Sequence, residues 1–268
     1  MKNWLILITP FVLISLLLTA CGGIMPVKHG IGSTITSDKD GMTMVFVPQG
    51  EFTMGSDVNS NEKPIHKITL ASYWIDQTEV TNAMYAKCVS AGACEELSDK
   101  SSFTHPNYYG NPEFDNYPVI QINWNMAKTY CEWRGDRLPT EAQWEKAARG
   151  TDARTYPWGN NSPTADLLNF NQNVGDIMQV GKYPSGVSPY GVYDMAGNVW
   201  ECVSSLYKPY PYIFNDGRED LSISDSRVLR GGSWNSDDSK VRSANRYYLT
   251  PDFTYYYYIG FRCARSLP

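Results

Sequence analysis

Beyond residue 150 the chain has no long run of helical or strand period, and turn formers recur every few residues. Such a stretch has to fold as loops and short strands, and halves of this kind are commonly held together by metal ions or disulfides. Global disorder is excluded as a description of the whole, because 268 residues at 42% hydrophobic content can bury a sizeable core or two small ones. Tyr and Trp, 19 and 8 of them, suit half-buried positions. With 23 Lys+Arg against 28 Asp+Glu, a net charge of −5 and no basic block, the chain is a poor match for a nucleic-acid partner.

The N-terminus carries Lys2, an apolar run from Trp4 to Leu18, then Thr19 and Ala20 ahead of Cys21. That order is expected of a secretory signal over residues 1–20. A single membrane-spanning helix is the alternative, but the run is short for a hydrocarbon core of ~30 Å and contains Pro10 and Ser15. Leu18-Thr19-Ala20-Cys21 resembles a bacterial lipobox, which implies lipidation of Cys21 and an exported protein held at the membrane through its lipid anchor. Gly22 after the cysteine is compatible with delivery to the outer membrane or cell surface. Residues 21–40, rich in Gly, Ser, Thr and charge, read as a flexible tether, with the folded domain over 41–268.

Export to an oxidising compartment makes Cys88, Cys94, Cys131, Cys202 and Cys263 disulfide candidates, and an odd number leaves at least one unpaired. Cys88 and Cys94 bracket a short loop containing Gly92, which favours a local bridge. No Cys-x-x-Cys occurs and His29, His66 and His105 lie far apart, which argues against a zinc or iron site. Met44–Pro48 and Glu51–Gly55, split by Gln49-Gly50, resemble a hairpin. Thr81 is expected to cap a helix through Cys88 and Asn125 another through Trp133, and Thr140-Glu141-Ala142-Gln143 forms a capping-box pattern before Trp144–Arg149.

Four ordered segments carry a family resemblance: Arg137-Leu138-Pro139-Thr140-Glu141-Ala142-Gln143-Trp144-Glu145, then Tyr190 through Glu201 (YGVYDMAGNVWE), Arg230-Gly231-Gly232-Ser233-Trp234, and Gly260-Phe261-Arg262-Cys263. Together, over about residues 41–266, they resemble the formylglycine-generating enzyme, or sulfatase-modifying factor, family. The resemblance implies an α+β, C-type-lectin-like fold in one domain, loop-rich with short strands and few helices. It also implies a Cys131–Cys263 bridge, leaving Cys202 unpaired where the family usually has Trp; a buried inert thiol is expected there.

Further implications concern ions and catalysis. Family members bind calcium, and one site carries over to Asp194, Gly197, Val199 and Glu201, a second to Asn169, Phe170 and Asp176. The family's chemistry needs two C-terminal cysteines that hold copper as thiolates; here those positions are Ser236 and Val241, which cannot. No catalytic residue, no copper and no formylglycine generation are therefore expected. The related iron-dependent branch fails for want of a histidine set. Ser236 with Asp237 and Asp238 has no nearby histidine and resembles no nucleophile elbow.

Between the Arg-Gly-Gly-Ser-Trp and Gly-Phe-Arg-Cys segments lie Asn235, Ser236, Asp237, Asp238, Ser239, Tyr247, Tyr248, Leu249, Phe253 and Tyr255, Tyr256, Tyr257, Tyr258, with six Tyr in twelve residues. Stiff aromatic area with adaptable polar groups is the chemistry of antibody paratopes. Of four consecutive tyrosines at least two should be exposed, since neighbours in a strand alternate faces. The pattern resembles the variable proteins of diversity-generating retroelements, which diversify adenine-containing codons near the C-terminus of the same fold. It implies a variable region over 235–258, with Lys240, Arg242 and Arg246 as scaffold or diversified through other codons. The leading expectation is a surface lipoprotein that binds a protein or glycan ligand noncovalently. The alternatives are a maturation or accessory factor acting on a partner enzyme, and a structural envelope lipoprotein.

Overall fold

The computed structural model describes Met1, residues 29–253 and residues 256–267. The expected signal peptide, Cys21, the start of the tether and Tyr255 lie outside the described residues. Strands β1 (Thr34–Thr36), β2 (Thr43–Val47), β3 (Gly50–Met54), β4 (His66–Leu70) and β5 (Tyr73–Asp76) precede helices α1 (Asn82–Ser90), α2 (Trp124–Arg134) and α3 (Glu141–Arg149). After a long loop come β6 (Trp200–Leu206), β7 (Arg227–Arg230), β8 (Tyr247–Leu249), β9 (Ile259–Phe261) and β10 (Ala264–Ser266). One antiparallel sheet has the order β1-β2-β5-β10, β3 and β4 form a two-stranded ribbon, and the third sheet runs β8-β7-β6-β9, with β6 and β9 parallel.

The helix starts follow side-chain capping. Thr81 Oγ1 accepts from Met84 N at 3.3 Å, and Thr140 and Gln143 form the reciprocal box expected ahead of α3. Helix α2 starts two residues earlier than expected, because Asn123, not Asn125, caps it: Asn123 Oδ1 accepts from Met126 N at 2.8 Å. Starting there places Trp124, Ala127, Tyr130, Cys131 and Arg134 on one buried face. Helix α3 is buried on all sides and contacts β3, β6 and β7. Its charges survive burial through partners: Arg149 donates to Glu145 at 2.8 Å, and Arg230 pairs with Glu145 from β7.

Two further expectations are corrected. Strands β2 and β3 do not form a hairpin: β2 is flanked on both edges by β1 and β5, so it has no edge left for β3, and Pro48 between them lacks a ladder donor. The folded unit also starts before Gly41. Thr34–Thr36 pairs with β2, and buried Asp40 accepts from Arg134 Nη1 at 3.0 Å and from Tyr130 OH at 2.6 Å. Disulfides join Cys88 to Cys94 and Cys131 to Cys263, and Cys202 is a free buried thiol whose ionisation burial opposes strongly. No helix among the described residues is long and apolar enough to cross a membrane.

A candidate ligand-binding face

Between β7 and its antiparallel neighbour β8 the backbone has no helix or strand, and glycines and arginines hold it in place. Gly232 adopts φ 74°, and a Cβ there would meet Val241 Cγ1 at 2.8 Å, so this turn excludes other residues. Arg242 forks onto Glu62 at 2.7 and 2.8 Å, and Arg246 onto Glu141 at 2.6 and 2.9 Å. The Arg246 guanidinium lies 3.9 Å from the centroid of Tyr210 and 4.9 Å from that of Tyr207. Both arginines are buried scaffold, whereas Lys240 is exposed and pairs with Asp237.

This frame presents β8 as an edge strand, with Tyr247 57% and Tyr248 50% exposed. Tyr247 packs 5.6 Å from Trp200 and stacks on Tyr248, which lies 4.7 Å from Tyr207. A second set follows the turn: Phe253, 45% exposed, stacks on Tyr256 at 4.8 Å, and Tyr256 lies 4.8 Å from Tyr258. Burial, with Tyr256 and Tyr247 adding to it, pushes the Tyr258 phenol up to about 12. Asn125 is used here rather than as a cap: its amide donates to Asp252 Oδ1 at 2.8 Å, fixing the turn to α2. Among the described residues, no cation lies over Tyr247, Tyr248, Phe253 or Tyr256.

Several expected surface residues are placed elsewhere. Ser236 is buried, its Oγ accepting from Ser233 N at 3.0 Å, and Leu249 is buried in the hydrophobic core that also holds Trp200 and Ile259. Neither belongs to an accessible face. Tyr256, Tyr257 and Tyr258 are half-buried against the same core, so none of these three stands fully free. Asn235, Asp237, Asp238 and Ser239 are exposed, in a loop where Asp237 accepts from Ser239 N at 3.0 Å and Tyr156 OH reaches the Asp238 carbonyl at 3.4 Å. The face also contains rings that residue pattern did not single out. Phe103, 62% exposed, packs on Trp234 at 5.2 Å and on Tyr257, and Trp234 Nε1 donates to the Tyr257 carbonyl at 3.1 Å. Phe103 sits in a polar loop more than a hundred residues away, and nothing local signals its partner.

Of the residues expected to hold calcium, Glu201 is already engaged by a cation. Arg262 Nε and Nη2 reach the Glu201 oxygens at 2.6 and 2.7 Å, and Trp144 Nε1 donates to Glu201 at 2.8 Å. A dication beside Glu201 would adjoin a buried guanidinium. Asp176 accepts on its carboxylate from Ser102, Thr104 and Ile177 N and on its carbonyl from Asn169 Nδ2 at 2.8 Å, while Asn169 Oδ1 is buried without a partner and Phe170 is a core ring. Gly197 and Val199 are buried on the turn between Asp194 and Glu201. Among the described residues, no three His, Cys, Asp or Glu are arranged to share one ion.

Sequence reasoning missed Glu79, which is fully buried beside Asp194, with Oε1 accepting from Asn198 Nδ2 at 3.0 Å and Oε2 reached by no donor among the described residues. Burial and then Asp194 push Glu79 well above the carboxylate range, and burial raises Asp194. Groups raised in this way contribute stability that is fully present below their ordinary values and is lost as pH rises through their folded ones. Glu79→Gln is therefore expected to raise stability at pH 8 by on the order of 1 kcal/mol and to flatten its decline between about pH 5 and 8, measured by urea titration. A loss of stability at pH 8 that appears only in the presence of calcium would instead assign these oxygens to an ion.

Few helices, small sheets and a loop-built face define an α+β protein of the C-type-lectin-like class. The chain belongs to the "Sulfatase-modifying factor enzyme 1-like domain" family, whose model matches residues 33–267. It is 31% identical to the inactive C-alpha-formylglycine-generating enzyme 2 of Bos taurus, covering 83% of this chain and 88% of that protein. It is 33% identical to the serine/threonine-protein kinase pkn1 of Chlamydia pneumoniae over 84% of this chain, but spans only 38% of that protein's length. Among solved structures, PvdO from Pseudomonas aeruginosa superposes with a TM-score of 0.72 at 28% identity, covering 90% of this chain and 100% of that one. Treponema denticola variable protein 1 shares the fold, with a TM-score of 0.66 at 22% identity over 87% and 98% of the two chains. Since an inactive enzyme is among the relatives, membership does not by itself carry catalysis.

Proposed function

We propose that this chain is an exported lipoprotein, anchored through Cys21, that binds a protein or glycan ligand noncovalently through its aromatic C-terminal face. The observation that carries the proposal is the pair Tyr247 and Tyr248, each at least half exposed on an edge strand that follows a segment pinned by buried, ion-paired Arg242 and Arg246. Exposed rings on a stiff base lose little conformational entropy on binding, which is what makes aromatic anchors effective. Diversification of this segment fits the same picture, because Arg242 and Arg246 hold the frame whatever rings β8 and the following turn display.

The proposal includes no catalytic step and no copper. At the two positions where the family's copper-binding thiols are expected stand Ser236, whose hydroxyl is engaged with Ser233, and Val241, which is fully buried. A valine offers no donor atom, and an alcohol is a poor soft-metal ligand.

The test pairs binding with folding. After a ligand is found on a glycan array or a panel of surface proteins, the double variant Tyr247→Ala, Tyr248→Ala is expected to weaken it by about thirtyfold or more. Because these rings are exposed, the melting temperature should stay within about 3 °C of the parent. Undiminished binding by a folded double variant would refute the assignment, as would oxygen-dependent peptide oxidation by the purified protein. Alanine at Tyr256 to Tyr258 is a poorer test, since those half-buried rings also support the core.

A further inference from the structure

A second concavity, sharing no residue with the aromatic face, opens between the β4–β5 turn, the start of α3 and the loop after β6. Its volume is about 620 Å³, within the range of small-molecule sites. Its walls are mainly apolar, with Leu70, Leu267, Phe214 and Leu221; the last two are 75% and 42% exposed at the rim. Exposed aliphatic and aromatic side chains around a pocket of this size mark a binding site more often than chance surface.

The charged groups lining it define what would enter. Lys128 and Glu132 pair with each other at 2.9 Å. Glu219 is turned onto hydroxyls, accepting from Ser204 at 2.6 Å, from Tyr212 at 2.7 Å and from Ser205. Arg137 is different. Both Nη1 hydrogens are used, on the Leu138 carbonyl at 3.1 Å and Gln143 Oε1 at 2.8 Å, while Nη2 meets only Ser266 Oγ at 3.1 Å. Its Nε–Nη2 edge is the one with which Arg246 and Arg262 fork their carboxylates, yet no carboxylate among the described residues sits on it.

We infer that this cleft binds an apolar molecule bearing a carboxylate, with the Nε–Nη2 edge of Arg137 forking the carboxylate and Phe214 and Leu221 covering the apolar part. A planar guanidinium held from behind by Gln143 and Leu138 is preorganised for such a contact. Glu219 keeps its charge but is held by three hydroxyl donors and does not pair with Arg137, so the Nε–Nη2 edge stays open to a ligand carboxylate.

Isothermal titration of the full chain with decanoate and with neutral decanamide tests this. One decanoate per chain is expected, bound about tenfold or more tightly than decanamide. Arg137→Gln should erase that difference while leaving decanamide binding nearly unchanged, and Phe214→Ala, at a rim position that folding does not need, should weaken both. Equal affinity for the two probes in the parent chain, no saturable binding, or insensitivity to Phe214→Ala would each overturn the inference. These parent-chain and Phe214 arms decide the matter even if Arg137→Gln does not fold.

Discussion

Replacing Cys131 and Cys263 together with alanine is expected to cost about 4 kcal/mol, near the upper end of what single disulfides contribute. The bridge closes 132 residues of separation, against 6 for Cys88–Cys94, and in the chain-entropy account the longer loop loses more freedom when closed. The corresponding loss for the short bridge is about 2 kcal/mol. Position adds to the contrast. Cys131 lies on α2 and Cys263 between β9 and β10, so the long bridge ties the last strands to a helix on the far side of the loop-rich stretch. Urea titrations of the two double variants check it. Equal losses, or a loss below about 1 kcal/mol at the long bridge, would show that the unfolded chain is already constrained there, or that the strands hold without the link.

The parts of this fold that were legible in the sequence are those decided within a few residues. The capping box at Thr140 and Gln143, the Thr81 cap and the local Cys88–Cys94 loop each depend on spacing alone. Asn123 and Asn125 show the limit. Both are good caps, and the choice fell to the buried stripe that begins at Trp124, whose indole donates to the Val203 carbonyl at 2.7 Å. The pairing of β2 with β5 rather than β3 was hidden for the same reason, since which edges are free is a property of the assembled sheet.

The candidate face was half legible. Tyrosine density pointed to Tyr247, Tyr248 and Phe253, and the structure exposes all three. Composition could not separate Tyr248 from Leu249 or Asn235 from Ser236, because burial of Leu249 and Ser236 depends on core packing and on the tight turn at Gly232. Nor could it supply Phe103, Trp200 and Trp234, which reach the face through loops and a strand distant in sequence. A site assembled from loops on a rigid frame is read from residue type only where one segment dominates it.

Arg262→Met is expected to destabilise the protein by about 3–5 kcal/mol at neutral pH, because it removes the cation from a buried cluster holding Glu79, Asp194 and Glu201. The guanidinium forks Glu201 and also donates to the Asp76 carbonyl at 3.1 Å and the Tyr193 carbonyl at 2.9 Å. Lysine should rescue little, since an ammonium cannot span both carboxylate oxygens and two carbonyls. Adding Glu201→Gln should recover part of the loss by removing a charge while retaining an acceptor for Trp144. The effect reaches the proposed binding face through β9. Gly260 pairs with Glu201 in parallel register, and one residue back Trp200 N donates to the Tyr258 carbonyl at 2.8 Å. Loosening the cluster therefore loosens the backbone that carries Tyr256 to Tyr258. In the Arg262→Met variant, hydrogen exchange at Trp200 and Ile259 should speed up together with unfolding of β6 and β9, as one cooperative unit. Unchanged protection at both amides, with stability within 1 kcal/mol of the parent, would mean that protons on Glu79 and Asp194 already neutralise the cluster without Arg262.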